Sequence, residues 1–416
     1  MNHELTIPQR GVNNWHVPIN GNFEQLDRDV EIRDSAANRD SYEPKQGALF
    51  RATDTGNLYR GTGSEWTRQD PPGVLVDWAS ITDFDVGNDG DDASAALKTA
   101  LESVRNVYIP QGSYKLGKPL KFSSLSDRRI FGSGTLRYPQ DGSEYMFEFE
   151  KSSGIEIDGI SFDGNENNTN DYGAVRFVGC SDISVRNCQF YSWGNSDGYT
   201  DEPHTVATRG SDDVDILYNS IVDSGGKGIS VYAFDDDQTD SIRIIGNRTK
   251  NTDEEGIFAG TEHNSGTTRV VIAHNDIDTT KKQYGMRIGG LQPCNALITG
   301  NTIRNTHNAA IEVKSRSSSV YTITNNVVTG NNGINIRSVE EPLGGVIANN
   351  SIVDCNDSGQ GIRLLSGCEN VIVSGNYANQ IELDGGDNFS IFGNYTYGNG
   401  ITARGAMNVE EAMNIS

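Results

Sequence analysis

The stretch 199–210, YTDEPHTVATRG, brings Asp201, Glu202, Pro203 and His204 together five residues before Arg209. His204 is one of only six histidines in a chain of 416 residues. Carboxylates beside an imidazole can take up and return protons during attack on a sugar. A carboxylate pair at suitable separation hydrolyses a glycosidic bond, and a His/Tyr/Arg set could remove and restore the C5 proton of a uronic acid. The same residues would serve as well in a hydrated loop or a contact between chains. What the loop does depends on the scaffold that holds it.

A repeat defines that scaffold. The segments ISVRNCQF, VDILYNSIV, IRIIGNRTK, VVIAHNDID, ALITGNTIR, YTITNNVVT, GVIANNSIV, VIVSGNYAN and FSIFGNYTY each place alternating apolar residues before an Asn. The shared positions run Asn187, Asn219, Asn247, Asn275, Asn301, Asn326, Asn350, Asn376 and Asn394, with Gly159 opening the series. A second unit, Gly-apolar-polar-apolar, recurs between them as GAVRF, KGISV, EGIFA, YGMRI, AAIEV, NGINI, QGIRL and NGITA. Two or three short strands per turn, stacked at about 4.8 Å, make a parallel β-helix. The expected fold is all-β: a right-handed, single-stranded solenoid of about ten coils with a small N-terminal attachment region. The Asn column is structural, since Asn at a bend tolerates left-handed backbone and bonds along the stack.

Five pieces follow along the chain. Residues 1–42 are polar, with Trp15 and Pro18 as an anchor and a short helix carrying Phe23, Leu26 and Val30. Residues 43–72 read as two or three short antiparallel strands and a DPPG linker. Residues 73–150 form the β-helix entry, with a capping helix at 93–104. Residues 151–405 are the repeats, and 406–416 a C-terminal tail.

Stacking turns sequence columns into surface stripes. Just before the second repeat stand Tyr172, then Pro203 or His204, then Lys227, Glu255 and Tyr284. The longest step of the Asn series, Asn187 to Asn219, contains the 199–210 stretch. A cleft over these coils would use Asp201, Glu202 and His204 as candidate catalytic residues. Candidate glycan contacts are Trp193, Tyr199, Arg209, Lys227, Tyr232, Glu255, Tyr284 and Arg287. Outward positions of the second repeat also carry Arg176, Lys314, Arg337, Arg363 and Arg404, with Glu312, Glu382 and Asp384 among them. That stripe is a track for an acidic glycan, because Arg offers a planar fork to carboxylate or sulfate. It reads equally as a contact between chains or an Arg–Glu ladder.

The net charge is −23, with 34 Lys plus Arg, mostly Arg, against 57 Asp plus Glu. A carboxylate-rich, lysine-poor surface suits work in high salt, where screening removes self-repulsion. It excludes a basic nucleic-acid groove. Five cysteines without a C-x-x-C motif argue against zinc, and fit small buried residues or a Cys180–Cys188 or Cys355–Cys368 bridge. The expectation is no obligatory cofactor. Ca²⁺ on the acidic runs NDGDD (88–92) or FDDDQTD (234–240) stays open, although neither has EF-hand spacing. No classical signal peptide and no membrane span is expected.

The entry segment VGNDGDDASAALKTAL followed by VYIPQGSYKL, together with the repeats, resembles the pectate-lyase-like superfamily of parallel β-helices over residues 75–405. Trp15, Pro18, Asn20, Asn22 and Phe23, followed by ATDTGNLYRGTGSEW, are similar to the heads of tail fibres and tailspikes of tailed viruses. The resemblance implies a homotrimeric virion tail spike or fibre, located on the tail or extracellular. It would attach to other tail proteins through residues 1–42 and bind a cell-surface polysaccharide or glycoprotein glycan as host receptor. With the acidic composition it implies a virus or prophage of halophilic archaea. On the same fold, the alternative is a polysaccharide-modifying enzyme: hydrolase, lyase or uronan epimerase. DEPH differs from the Asp-Pro-His of β-helical uronan epimerases by the inserted Glu202.

Overall fold

The computed structural model describes residues 31–416 apart from 55–56, 70–76, 85–91, 139–143, 166–171, 194–203, 234–237, 262–265, 268, 291–293, 316–318, 331–332, 339–342 and 355–360; before residue 31 it describes Asn14, Val17 and Asn20 alone. The expected N-terminal helix and its Trp-Pro anchor lie outside the described residues. Contacts divide the chain into 1–79 and 80–416. In the first unit, strands Leu49–Ala52, Leu58–Gly61 and Trp66–Gln69 pair antiparallel, and Glu31–Asp34 adds to the first of them in parallel. Phe50, Ala52 and Tyr59 form its small core.

The second unit is a parallel β-helix. One face is a fourteen-stranded parallel sheet; the other two strands of each coil pair within a 22-stranded set. Three faces result, named here in chain order within a coil. The first face contains Asp212–Leu217, the second Ser220–Ser224 and the third Lys227–Ala233. Alternate residues on each strand point inward, so Ile216, Ile244, Ile272, Ile298 and Ile323 stack as one fully buried column. Helix Ser94–Ser103 buries Ala96, Leu97, Ala100 and Leu101 in the same core.

The corner between the first and second faces explains the Asn repeat. Each buried Asn takes a backbone N–H and its own neighbour's amide onto one side-chain oxygen. Asn301 Oδ1 accepts from Asn275 N and Nδ2 at 2.9 and 3.0 Å, while Asn301 Nδ2 donates to Asn326 Oδ1 at 2.9 Å. The ladder runs from Asn219 to Asn414. Asn187 stands one position out of register. Cys188 takes the ladder place, its N–H donating to Asn219 Oδ1 at 2.9 Å, and Asn187 occupies the residue before the corner. That preceding position is left-handed throughout, as at Tyr218 (φ 57°), Gly246 (φ 69°), His274 (φ 56°) and Gly300 (φ 66°). At Gly246 a Cβ would strike the Tyr218 ring, so a large corner residue is followed by a small one.

The last coil breaks the inward pattern. Glu411 stands opposite Ile391, and Ala403 opposite Leu383.

Candidate functional site

The third face carries the candidate site, and its register settles the column before the second repeat. His204 pairs with Lys227, so His204 rather than Pro203 holds that position, and Gly173 rather than Tyr172 precedes it. The outward side chains of this face fall into two columns, not one stripe. The first runs Lys121, Glu148, Arg176, Ala207, Ser230, Phe258, Arg287, Glu312, Asn335, Arg363 and Glu382. The second contains Arg209, Tyr232, Lys314 and Arg337, with glycines between.

At both ends of the first column cations and carboxylates sit on neighbouring coils, interrupted only at Asn335, where Arg337 of the second column takes the cation's place. Glu148 is 3.6 Å from Lys121 Nζ and 3.5 Å from Arg176 Nη1. Further along, Glu312 is 3.1 Å from Arg287 Nε and 3.6 Å from Arg337 Nε, and Glu382 is 3.4 Å from Arg363 Nε. The basic stripe is therefore in large part an Arg–Glu ladder, one of the three arrangements its composition allowed.

Between these ladders the column is uncharged: Ala207 and Ser230 are fully buried, and Phe258 is the partly exposed member of this window. Tyr145 and Tyr232 pack against Ala207, with Tyr172 and Phe258 at their margins. The His204 ring meets Tyr232 edge-on at 5.5 Å, and the Arg176 guanidinium lies 5.5 Å from the Tyr145 ring centre. Burial raises the Tyr145 and Tyr232 hydroxyls, so both stay protonated donors. The Ser230 hydroxyl has no hydrogen-bond partner among the described residues.

Beside the window sits a buried charge cluster. Lys227 Nζ is 2.9 Å from Glu254 and 3.8 Å from Glu255, and 5.4 Å from the Phe258 ring centre. Arg287 reaches Glu255 at 3.7 Å and lies 5.7 Å from the Tyr284 ring centre. Burial pushes the Glu255 carboxyl above its ordinary range; Lys227 and Arg287 oppose that shift without cancelling it. Burial likewise raises the Tyr284 hydroxyl, and Glu312 adds to the effect.

The expected glycan contacts thus divide. Arg209, Tyr284 and Arg287 are partly exposed on this face. Tyr232, Lys227 and Glu255 are a correction: they are only 6%, 4% and 1% exposed, so they organise the face from beneath. Trp193 is a correction: it is 1% exposed, packs on Tyr138 at 5.4 Å, and donates Nε1–H to the Phe162 carbonyl at 3.3 Å. Left-handed Ser192 (φ 60°) breaks the alternation after Tyr191 and turns Trp193 into the core. Tyr199, Asp201 and Glu202 lie outside the described residues, so His204 alone of the catalytic candidates is placed, at the edge of the window. Tyr145 was missed. It stands two residues before strand Phe147–Glu150, where Gly173 and His204 stand in later coils, so extending that column one coil back would have found it.

Cys180, Cys188, Cys294 and Cys368 are buried free thiols, so the Cys180–Cys188 bridge does not form. Cys180 and Cys188 instead donate to backbone carbonyls of their own coils and the coils before. Cys355 lies outside the described residues. Among the described residues no group of three or more His, Cys, Asp or Glu is placed to hold a metal ion, and no helix is long and apolar enough to cross a membrane. Most of both acidic runs lies outside those residues.

No family model matches the chain, and no curated protein matches it. Solved structures do. Tailspike protein 3 of bacteriophage CBA120 aligns with a TM-score of 0.62 at 14% identity, covering 86% of this chain and 64% of that one. ORF18 of Geobacillus virus E2 aligns at 0.55 with 15% identity, covering 82% and 72%. A PL6 alginate lyase solved with a trisaccharide aligns at 0.53 with 16% identity, covering 81% and 85%. At such identities the likeness defines the fold: a parallel β-helix of the type found in phage tailspikes and in polysaccharide-cleaving enzymes.

Proposed function

We propose that this chain is a virion tail spike or fibre protein that binds a host cell-surface glycan on the third face of its β-helix. The break in the ion-pair ladder carries the reading. Ala207, Ser230 and Phe258 leave the middle of that face uncharged; Ala207 and Ser230 are buried, so a ligand would meet Phe258 with the partly exposed Arg209, Tyr284 and Arg287 around it, held in place by buried charges. Aromatic rings suit sugar faces, and partly exposed guanidiniums suit carboxylate or sulfate groups, so the ligand class is an acidic polysaccharide or glycoprotein glycan. Residues 1–42 would join it to other tail proteins, and three copies would form the spike. The acidic, arginine-biased composition supports a host living in high salt. The test is binding of purified host surface polysaccharide at high ionic strength. Wild type should bind, and Arg209→Ala with Arg287→Ala should weaken binding at least tenfold; unchanged binding by the double variant would refute the assignment of this face.

A second reading has its own support. A buried carboxyl held above its usual range, as at Glu255, is a frequent mark of acid–base chemistry. With His204, Asp201 and Glu202 nearby in sequence, the same face could modify the glycan it binds, by hydrolysis, lyase chemistry or C5 epimerisation. Incubation with the bound glycan should then release reducing ends, unsaturated uronate or epimerised product. Absence of all three leaves a binding protein.

A further inference from the structure

We infer that the ridge where the first and second faces meet, over four late coils, is the surface through which copies of this chain bind one another. Each coil crosses that ridge in eight residues: 322–329, 346–353, 372–379 and 390–397. None of these four segments contains an Asp, Glu, Lys or Arg, in a chain that is 22% charged with a net charge of −23. The same crossing in earlier coils carries Asp276 and Asp278, or Arg243, Arg248 and Lys250.

What replaces the charges is apolar and exposed. Val327, Ile372, Tyr377, Phe392, Tyr395 and Tyr397 are each between 39% and 44% exposed. Tyr377 stacks on Tyr395 and on Tyr397, with ring centres 5.1 Å apart in both pairs, and Tyr397 donates its hydroxyl to the Ile352 carbonyl at 3.2 Å. The rings form a fixed block that would lose little side-chain freedom on being covered, which is how interface anchors behave.

The partner that fits is a second copy of the same chain. Two such chains repel wherever carboxylates meet, and these four crossings bring none; the next crossing, 410–416, restores Glu410 and Glu411 and bounds the patch. Both flanks of the corner are uncharged, so the first face of one copy can lie against the second face of the next and close a ring. A three-membered ring rests on the trimeric reading above; the location of the contact does not.

The test is the solution mass of the full chain by light scattering at tens of micromolar in high salt. Wild type should give at least twice the chain mass of 45.2 kDa, at an integer multiple of it. Ile372→Glu and Tyr377→Arg should each give monomers with unchanged circular dichroism, whereas Ser184→Glu, on the same face nearer the N-terminus, should keep the wild-type mass. A monomeric wild type overturns the inference and leaves the ridge to a different protein or to further chain. So does an assembly that survives Tyr377→Arg, because loss in the Glu variant alone would report net charge and not this surface. Glycan binding measured on the same samples keeps the two readings apart: a monomer that still binds host polysaccharide leaves the third-face assignment standing.

Discussion

Arg287 Nε lies 3.1 Å from Glu312 Oε2, one coil further along the third face, and the same guanidinium reaches back to Glu255. Both glutamates are almost fully buried, whereas the arginine is one-third exposed. Removing the arginine leaves Glu255 to Lys227 and Glu312 to Arg337, each at the longer distances of 3.8 and 3.6 Å; removing a carboxylate leaves only a partly hydrated cation. Arg287→Met should therefore lower unfolding free energy by about 2 kcal/mol, discounted for solvent at the guanidinium. Adding Glu312→Gln to that variant should recover part of the loss, as a double-mutant cycle in urea would measure.

Glu255 gives the third face a definite response to pH. Its carboxyl is raised in the folded protein, chiefly by burial, above the ordinary value of 4.5. The folded state thus holds the proton more tightly than the unfolded state. The resulting stability is full below the unfolded value and is lost as pH rises through the folded one. Unfolding free energies measured upward from pH 4 should fall across that window in wild type, and Glu255→Gln should flatten this part of the curve.

The asparagine ladder should be costliest to break in the middle. Asn301 donates to the Ile272 carbonyl at 3.0 Å and accepts the Asn275 backbone N–H, both inside the core. Asn301→Ala strands those groups and should cost about 3 kcal/mol. Asn414, partly exposed on the final coil, donates to the Ile391 carbonyl and should cost about 1 kcal/mol when replaced by Ala. Chemical denaturation of the two variants gives the comparison.

Four thiols should be silent in the native protein. Burial drives Cys188, Cys294 and Cys368 up to about 12 and also raises Cys180, so the reactive thiolate is scarce at each. A thiol reagent at pH 8 should label at most one cysteine per native chain, and all five once the chain is unfolded.

The β-helix was legible because its determinants are local and periodic. Alternating apolar pairs before a recurrent Asn fix two strands and a corner, and stacking repeats that solution coil by coil. Helix 93–104 and the hairpin strands of 43–69 followed from equally local signals. The site was less legible because it depends on register. Cys188 replaces the asparagine of its coil, which put Asn187 one position out. His204 and Gly173 could be aligned only through backbone pairing. Trp193 was misplaced because one left-handed residue, Ser192, reverses which way the next side chain points, and nothing in YSWGN announces it. The basic stripe stands out in the sequence, but adjacency alone does not separate a ligand track from the Arg–Glu ladder that pairing with Glu148, Glu312 and Glu382 reveals.

The asparagine column also bears on how such a chain changes over generations. Every rung presents the same amide to the rung before and the rung after, so the bonding pattern does not record how many rungs there are. Unequal recombination between two repeats would add or delete a whole turn, lengthening or shortening the rod by about 4.8 Å while leaving each junction chemically intact. The window on the third face and the ridge over the late coils would then slide apart or together by one step. Reach and spacing could thus be retuned by copying errors, without a new core having to be found.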